Sequence, residues 1–398
     1  MIKMKVIIVC TGYNKLSQFK DPGQIAHSLA KKGFEVECFI SDADLMNEPN
    51  PDVKFVLLTP EAKKRNFWDA HQADVFLFYF LAPGQLKWLT YVSRVNPGAK
   101  LILKCDSDGL IPLGKRTSFL RQAYIAKIPY FIGNDKIFRR PLLKVPLRIC
   151  IKIFPHIFWF LNKVKLSKYL SKFDLIMIES PEAGRNLILN YPQIKDRVVI
   201  LPNGVTNRKQ VFHPKENRVI SAALWTNACA KRPLLTMRVL KEFIEHNPNW
   251  KAVMVGPLSR KLQNRYQKIK KNAATSERFE LLDFLPNEEL RNLLGKSKIF
   301  FCASRTESFS IVSAEALSSG CSLVCTPFPS AYFLTAGGLS GTLSENFSKN
   351  SLLRALEFEV RKWESGFYDA LNLTQFWQEV FDWDNIVSLL INLTKKHR

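Results

Sequence analysis

Two glutamates eight residues apart, Glu307 and Glu315, are the strongest candidates for chemistry in this chain. They lie in the segment Ser304-Arg-Thr-Glu-Ser-Phe-Ser-Ile-Val-Ser-Ala-Glu-Ala316, directly after an apolar run. If Glu307 stands at the mouth of a helix, Glu315 lies about two turns along it on roughly the same side. Because a carboxylate can accept two hydroxyl hydrogen bonds at once, such a pair could hold both ends of an extended polyhydroxylated ligand.

The position of this segment after an apparent strand also favours ligand binding. Ligands of doubly wound sheets bind beyond the carboxyl ends of the strands, and free amides at a helix start attract anions. Those amides would belong to Ser308, Phe309 and Ser310. A simpler explanation is that the acids only stabilise a helix dipole. Glu315, however, is flanked by alanines and a leucine, where an acid normally needs a partner.

Short apolar runs alternate with helical stretches through both halves of the chain. Most runs are apolar on successive residues, as a parallel sheet covered on both faces requires. The predicted strands are Val6–Cys10, Glu35–Ile40, Val53–Leu58, Asp74–Phe80, Lys100–Asp106, Leu175–Glu179, Val198–Leu201, Arg218–Leu224, Lys251–Val255, Phe279–Leu285, Lys298–Ser304 and Ser322–Cys325. The predicted helices between them include Lys231–His246 and Asn287–Gly295. The alternation predicts an α/β protein with two doubly wound domains.

A turn-forming cluster at 201–204 (Leu-Pro-Asn-Gly) marks the expected domain boundary. We predict a first domain over residues 1–202 and a second over residues 203–373. The aromatic stretch 374–398 is predicted to be a terminal helix that packs back onto the first domain.

Composition excludes several classes of protein. With 398 residues, 46% of them hydrophobic and 23% charged, the chain is neither a small disulfide-stapled domain nor a disordered polyampholyte. The eight cysteines form no CxxC pair and are interpreted as reduced thiols of a cytoplasmic protein. The net charge of +23 predicts an anionic partner of some kind.

More than half of that charge lies in one basic and aromatic segment, residues 110–172. Between Ile111 and Lys172 there are 14 lysines and arginines and a single acid, Asp135. Bases interleaved with aromatic rings suit the surface of an anionic membrane. An ordinary amphipathic insertion with a basic solvated face is the alternative. No apolar run in the chain is long and charge-free enough to span a bilayer.

The spacing Glu307-x7-Glu315, followed by Ala316-Leu317-x2-Gly320, resembles the signature of the retaining, nucleotide-sugar-dependent glycosyltransferases of the GT-B fold (glycosyltransferase family four). The resemblance is strong over residues 283–326 and weak over residues 110–172. Other segments that resemble the family, in the family's order, are Pro22–Val36, Val199–Val205, Val253–Gly256 and Phe284–Leu290.

The resemblance implies a donor sugar nucleotide (UDP-, GDP- or another) bound between two domains, on the second. It implies that Glu307 holds the transferred sugar near its reacting carbon and that Glu315 binds the ribose hydroxyls. The amides of residues 308–310 would meet the sugar or the diphosphate. It implies no cofactor and no metal, and we find no group of His, Cys or Asp at metal-ligand spacing.

Three further residues receive roles by the same resemblance. Lys231 would neutralise the departing diphosphate, although it could be an ordinary surface lysine. Gly12 would let the backbone approach the phosphate, or it simply closes a strand-end turn. Many members carry a histidine after the fifth strand, and here Asp106 or Asp108 could take its place near the acceptor. A loop acid or a helix cap is the equal alternative for these aspartates.

The sequence departs from the family pattern at three places. The usual Gly-Arg pair is replaced by Ala222-Ala223, so Lys231 must act alone or with Arg232 or Arg260. The usual Gly-Phe-Gly reads Ser-Phe-Ser at 308–310, which fits if the backbone angles there are helical. Pro-Phe-Pro-Ser at 327–330 stands where a Gly-Gly is usual and could reshape the donor pocket.

These observations together predict a retaining, metal-independent glycosyltransferase that moves a sugar to an acceptor hydroxyl in polysaccharide or glycolipid biosynthesis. It would be cytoplasmic and peripheral on the inner face of the membrane, held there by residues 110–172. The alternatives are a GT-B-like sugar-nucleotide hydrolase or epimerase, or a basic nucleic-acid-binding protein. We expect no nucleic-acid partner, because no recognised nucleic-acid motif is present.

Overall fold

The chain divides into two compact units, each built on a parallel sheet. Unit 1 comprises Met1–Glu179, Ala183–Leu201 and Val387–Arg398, and unit 2 comprises Ser180–Glu182 and Pro202–Ile386. The computed structural model describes residues 4–13, 17–18, 20–47, 52–79, 85–110, 155–206, 214–225, 228–270 and 277–396.

The sheet of unit 1 has seven strands in the order β3-β2-β1-β4-β5-β6-β7, and every neighbouring pair is parallel. Its strands are β1 (Lys5–Cys10), β2 (Glu35–Ile40), β3 (Lys54–Leu57), β4 (Val75–Tyr79), β5 (Lys100–Cys105), β6 (Leu175–Ile178) and β7 (Val198–Ile200). Ile7, Ile8 and Val9 have no exposed surface, because helices or loops cover both faces of the central strand. The order reverses at β1 and β4, where doubly wound sheets bind ligands.

Helices cover this sheet on both faces. They are α1 (Asp21–Lys31), α2 (Arg65–Asp69), α3 (Leu86–Val95), α4 (Pro155–Leu170) and α5 (Pro181–Asn190), with short 3₁₀ turns at Ala43–Asn47, Pro60–Lys63 and Pro192–Arg197. One large apolar core joins Trp68 and Phe78 to Tyr169 and Phe173. Residues 111–154, the larger part of the basic segment, lie outside the described residues, so its predicted membrane contact stays a prediction from the sequence.

The sheet of unit 2 has six parallel strands in the order β10-β9-β8-β11-β12-β13. They are β8 (Glu216–Ala222), β9 (Lys251–Val255), β10 (Phe279–Leu282), β11 (Ser297–Cys302), β12 (Ser322–Cys325) and β13 (Gly341–Leu343). The sequence did not indicate β13, because Gly-Thr-Leu is too short and too polar to form an apolar run.

The helices that follow are α6 (Ala228–Lys231), α7 (Pro233–His246), α8 (Arg260–Lys270), α9 (Asn287–Lys296), α10 (Ile311–Leu317), α11 (Ala331–Leu334), α12 (Lys349–Glu364), α13 (Ala370–Val380) and α14 (Trp383–Lys396), with a 3₁₀ turn at Ala336–Gly338. Two parallel α/β units of this kind are the fold class that the alternating runs predicted.

The stretch predicted as one terminal helix over 374–398 is instead parts of two helices, α13 and α14. The break occurs because Asp382 caps the second helix, its Oδ1 accepting from the amides of Asp384 (2.9 Å) and Asn385 (3.0 Å). The amide of Val205 also bonds the carbonyl of Phe381 at 2.9 Å. Residues 202–386 therefore group with unit 2, and only Val387–Arg398 group with unit 1.

Candidate active site

The carboxyl ends of β8 and β11 bring two charged side chains together in unit 2. These strands are neighbours and parallel, so the chain leaves both of them at the same edge of the sheet. After β8 the indole of Trp225 donates to the carbonyl of Val255 at 2.8 Å and holds the turn that leads to α6. Gly256 packs so closely there that a Cβ would lie 2.1 Å from the carbonyl oxygen of Ala223, so only glycine fits.

Lys231 and Glu307 form an ion pair at this edge. The Nζ of Lys231 lies 2.5 Å from Oε1 of Glu307, and their side chains are only 23% and 11% exposed. A backbone hydrogen bond of 2.7 Å from the amide of Arg305 to the carbonyl of Ala230 joins the two loops that carry the pair. The contact therefore depends on backbone geometry as well as on attraction between the charges.

The loop from 308 to 310 presents three backbone amides beside this pair. Within the described part of the chain, no acceptor bonds the amides of Ser308, Phe309 or Ser310. The side chain of Phe309 is not available to a ligand, since it is buried against Phe381 in an edge-to-face contact. The segment 327–330 braces the same loop, because the hydroxyl of Ser330 donates to the carbonyl of Phe309 at 2.9 Å.

Ser310 corrects the expectation of a helical backbone at the Ser-Phe-Ser sequence. Its φ of 70° and ψ of 69° are left-handed, the conformation that glycine adopts most easily. Its hydroxyl compensates in part by a 2.7 Å hydrogen bond with the hydroxyl of Ser313. The serine in place of the family's usual glycine is therefore tolerated at a cost in strain and not because the backbone is helical.

The same turn corrects the expected geometry of the two glutamates. Helix α10 begins at Ile311, so Glu307 lies in the preceding loop and Glu315 lies just over one turn from the helix start, not two. Burial raises the pKa of Glu315 to about 7, and the nearby guanidinium of Arg291 opposes this rise. Glu315 can therefore change its ionisation near neutral pH.

A half-buried lysine outside the family motif, Lys215, holds α10 in position. The Nζ of Lys215 donates to the carbonyls of Leu294 (3.3 Å), Ser297 (3.0 Å) and Ser319 (2.7 Å). These carbonyls lie at the ends of α9 and α10, where helices leave acceptors unsatisfied. Lys215 thus ties the helix of Glu315 to the helix of Arg291.

The two arginines considered as substitutes for the missing Gly-Arg lie in different places. Arg232 follows Lys231 directly with a left-handed φ of 53°, and its guanidinium donates to the carbonyl of Phe347 at 3.0 Å. Arg260 is the exposed first residue of α8. Burial and the charge of Arg305 lower the pKa of Arg232. Arg305, which the sequence did not indicate, therefore adds positive charge near Lys231 and Arg232.

In unit 1 the candidates Gly12 and Asp106 lie at the carboxyl ends of β1 and β5. Gly12 is exposed in the turn after Cys10, and Asp106 is exposed directly after Cys105. Asp108 is committed to its own turn, since its Oδ1 accepts from the amide of Leu110 at 3.1 Å. Asp106 is thus the more accessible of the two aspartates.

Next to Asp106 lies a buried ion cluster that sequence reasoning missed. Lys104 is 1% exposed, and its Nζ lies 3.4 Å from Asp21 and 3.7 Å from Glu179. Burial raises the pKa of Asp21. The positive charge of Lys104 opposes this rise, and the negative charge of Asp106 adds to it. The only sequence signal was a lysine inside the apolar run Leu101–Cys105.

Comparisons with known proteins bear on the fold of the chain and on the kind of protein that unit 2 resembles. Residues 206–365 match the family model described as glycosyl transferases group 1. The chain is also similar to a D-inositol 3-phosphate glycosyltransferase of Corynebacterium diphtheriae, with 23% identity over 203 residues. That match covers 46% of this chain and 47% of the relative, so the chain spans about half the length of the curated relative it matches.

Solved structures resemble the whole chain. A glycosyltransferase from Rickettsia africae superposes with a TM-score of 0.66 and 14% identity, covering 100% of this chain and 99% of that one. HepE of Anabaena in complex with UDP-glucose gives a TM-score of 0.62 with 13% identity, covering 99% and 100%. At these identities the likeness shows the fold, which is GT-B with two Rossmann-like units.

The described residues also carry information on metals and membranes. Among those residues, no three His, Cys, Asp or Glu side chains lie close enough together to hold a metal ion. None of the helices described by the structure combines the length and the apolar composition that crossing a bilayer requires.

Proposed function

We propose that this chain, whose residues 206–365 match the model of glycosyl transferases group 1, transfers a sugar from a nucleotide-diphosphate sugar to an acceptor hydroxyl. The observation that carries the proposal is the contact between Lys231 and Glu307 at the carboxyl edge of the unit 2 sheet. A cation and a carboxylate side by side are what a sugar diphosphate needs, one for the phosphates and one for the hydroxyls.

Each residue of the unit 2 site has a role in this proposal. Lys231 stabilises the negative charge that develops on the diphosphate as the bond to the sugar breaks. Glu307 accepts hydrogen bonds from hydroxyls of the transferred sugar, and Glu315 accepts them from the ribose. The amides of Ser308, Phe309 and Ser310 donate to the sugar or the diphosphate.

We further propose that the anomeric configuration is retained and that no divalent metal is required. Retention rests on the resemblance over residues 307–320. The charge that a metal would supply to the diphosphate comes here from Lys231, with Arg232 and Arg305 nearby.

On the acceptor side we assign Asp106 to contact the acceptor and Gly12 to let the backbone approach the donor phosphate. Asp106 is exposed at the end of β5, while its neighbour Lys104 is locked in the buried cluster. The acceptor would be a saccharide or lipid-linked saccharide of polysaccharide or glycolipid biosynthesis at the cytosolic face of a membrane. The basic segment 110–172 would bind that membrane.

A panel of sugar nucleotides tests the transferase proposal. Purified protein is incubated with each donor and a mixture of saccharide acceptors, and released nucleoside diphosphate is measured together with glycosylated product. We expect diphosphate release that requires both an acceptor and Glu307, with Glu242→Gln in α7 as the matched control. Release without an acceptor would indicate a hydrolase, and isomerised donor would indicate an epimerase. Binding to duplex DNA or RNA without any donor turnover would favour the nucleic-acid alternative.

Co-sedimentation with vesicles tests the membrane proposal separately. We expect binding to vesicles with anionic headgroups at low salt and weaker binding when Lys163, Lys165 and Lys168 are neutralised together. Neutralising Lys261, Lys268 and Lys270 on α8 of unit 2 is the control. Equal binding of all three proteins, or no binding, would contradict the assignment.

A further inference from the structure

The ion pair of Lys231 with Glu307 has a consequence for what the site binds best, given the proposed function. Both side chains are mostly buried, and the 2.5 Å contact joins the cation meant for the diphosphate to the acid meant for the sugar. While the pair is intact, each charge is partly neutralised by the other. A ligand that replaces one partner therefore changes the interaction of the other.

The charges around the pair favour an anion once Glu307 is turned away. Lys231, Arg232 and Arg305 are three cations on the two joined loops, and Glu307 is the acid paired with Lys231. A diphosphate that enters beside an ionised Glu307 meets repulsion as well as attraction, and like charges at close range cost several kcal/mol.

The two possible ligands differ in what they offer to Glu307. A sugar nucleotide carries hydroxyl groups that can donate to the carboxylate and replace Lys231 as its partner. A free nucleoside diphosphate offers the carboxylate only more negative charge. A half-buried carboxylate that loses its cation and gains no donor is strongly disfavoured.

We infer that Glu307 is a specificity-determining residue that makes the site prefer the sugar nucleotide over the free nucleoside diphosphate. In the free protein Glu307 is the counter-ion of Lys231. In the donor complex the phosphates take Lys231 and the sugar hydroxyls take Glu307. When the sugar has gone, Glu307 returns to Lys231 and weakens the hold on the diphosphate, which favours its release.

Isothermal titration with UDP, UDP-glucose, GDP and GDP-mannose tests this inference. In Glu307→Gln, which keeps the size of the side chain and removes its charge, we expect the free diphosphate of the preferred base to bind about tenfold more tightly. We expect the sugar nucleotide to gain no affinity, so that the preference for it shrinks. Glu307→Asp, which retains the charge, should retain the preference.

The matched control is Glu242→Gln. Glu242 pairs with Lys349 at the same distance of 2.5 Å in the same unit, away from β8 and β11. It should leave all four affinities unchanged, and thermal unfolding checks that both variants fold. Equal or weaker binding of the free diphosphate to Glu307→Gln would overturn the inference alone. Failure of the wild-type protein to bind any nucleotide, in this titration and across the whole donor panel, would overturn the proposed function together with it.

Discussion

The two units place a lysine beside acids at the carboxyl edges of their sheets, but the two lysines differ in access to solvent. In unit 1, Lys104 is 1% exposed between Asp21 and Glu179. In unit 2, Lys231 is 23% exposed and has Glu307 as its one acidic partner among the described residues. Since removing one member of a buried pair leaves an uncompensated charge, Lys104 should act on stability. Lys231 can exchange its partner for a ligand and should act on binding.

The comparison teaches that the type of residue alone does not indicate its role. Both lysines follow or belong to an apolar strand, and both face carboxylates. The number of acids and the access of solvent separate the structural cluster from the candidate site. The predictions below test this separation, beginning with the largest expected effect.

Replacing Lys104 should destabilise unit 1 most. In Lys104→Met, Asp21 and Glu179 lose their cation, and we expect a loss of about 3–5 kcal/mol in the free energy of unfolding. Urea denaturation followed by tryptophan fluorescence measures it. Lys54→Met is the control, because Lys54 pairs with Glu37 but is 69% exposed. A similar loss in the two variants would remove the distinction between buried and accessible lysines.

Replacing Lys231 should affect catalysis more than stability. In Lys231→Met we expect the transfer rate to fall by about 10²–10³-fold, as when one charge-stabilising donor is removed from an active site. The midpoint of urea unfolding should fall less than in Lys104→Met, because this pair is more exposed and includes one acid instead of two. Steady-state kinetics with the preferred donor measure the rate, and Lys349→Met is the control. Full activity in Lys231→Met would show that Lys231 does not bind the diphosphate.

Donor binding should depend on pH through Glu315. Because folding raises the pKa of Glu315 from 4.5 to about 7, its contribution to stability is present at low pH and is lost as the pH rises toward and through 7. In the proposed function Glu315 binds the ribose in its ionised form, so donor affinity should increase by up to about tenfold between pH 6 and pH 8. Titrations of wild type and Glu315→Gln measure this, and the variant should show a flat profile. If the variant kept the pH dependence of the wild type, a group other than Glu315 would be responsible for it.

The smallest effect should come from the left-handed residue of the loop. In a Ser313→Ala background, where the hydroxyl contact is already absent, Ser310→Gly should stabilise the protein by about 1 kcal/mol. Thermal unfolding of the single and double variants gives the difference. No gain, or a loss, would mean that the turn is not strained.

Much of the fold could be predicted because each strand is indicated by the apolar residues of its own segment. Runs such as Val6–Cys10 are apolar on successive residues, and the structure confirms strands at all twelve predicted positions, with ends that differ by a few residues. The strand Gly341–Leu343 was missed because its position depends on pairing with β12 and not on its own composition. The family motif likewise indicated Glu307, Glu315 and Lys231 because they lie near recognisable strand ends.

The remaining features could not be predicted because they depend on contacts between residues that are distant in sequence. Lys104 meets Asp21 and Glu179, which lie far from it along the chain, and no local pattern announces such a meeting. The helix that carries Glu315 was predicted to begin too early, because Ser310 adopts a left-handed turn that delays its start to Ile311. The hydrogen bonds from Lys215 to three carbonyls were unpredictable for the same reason, since those carbonyls are distant from it in sequence.

The return of the chain to unit 1 at α14 has a consequence for synthesis on the ribosome. Leu390, Ile391 and Thr394 lie over an apolar patch that includes Val6 and Ile102, and Lys100 Nζ bonds the carbonyl of Thr394 at 2.5 Å. These covering residues emerge only after all of unit 2. The nascent chain therefore keeps an apolar face of unit 1 open while unit 2 is being made, the situation in which unfinished proteins aggregate and chaperones bind.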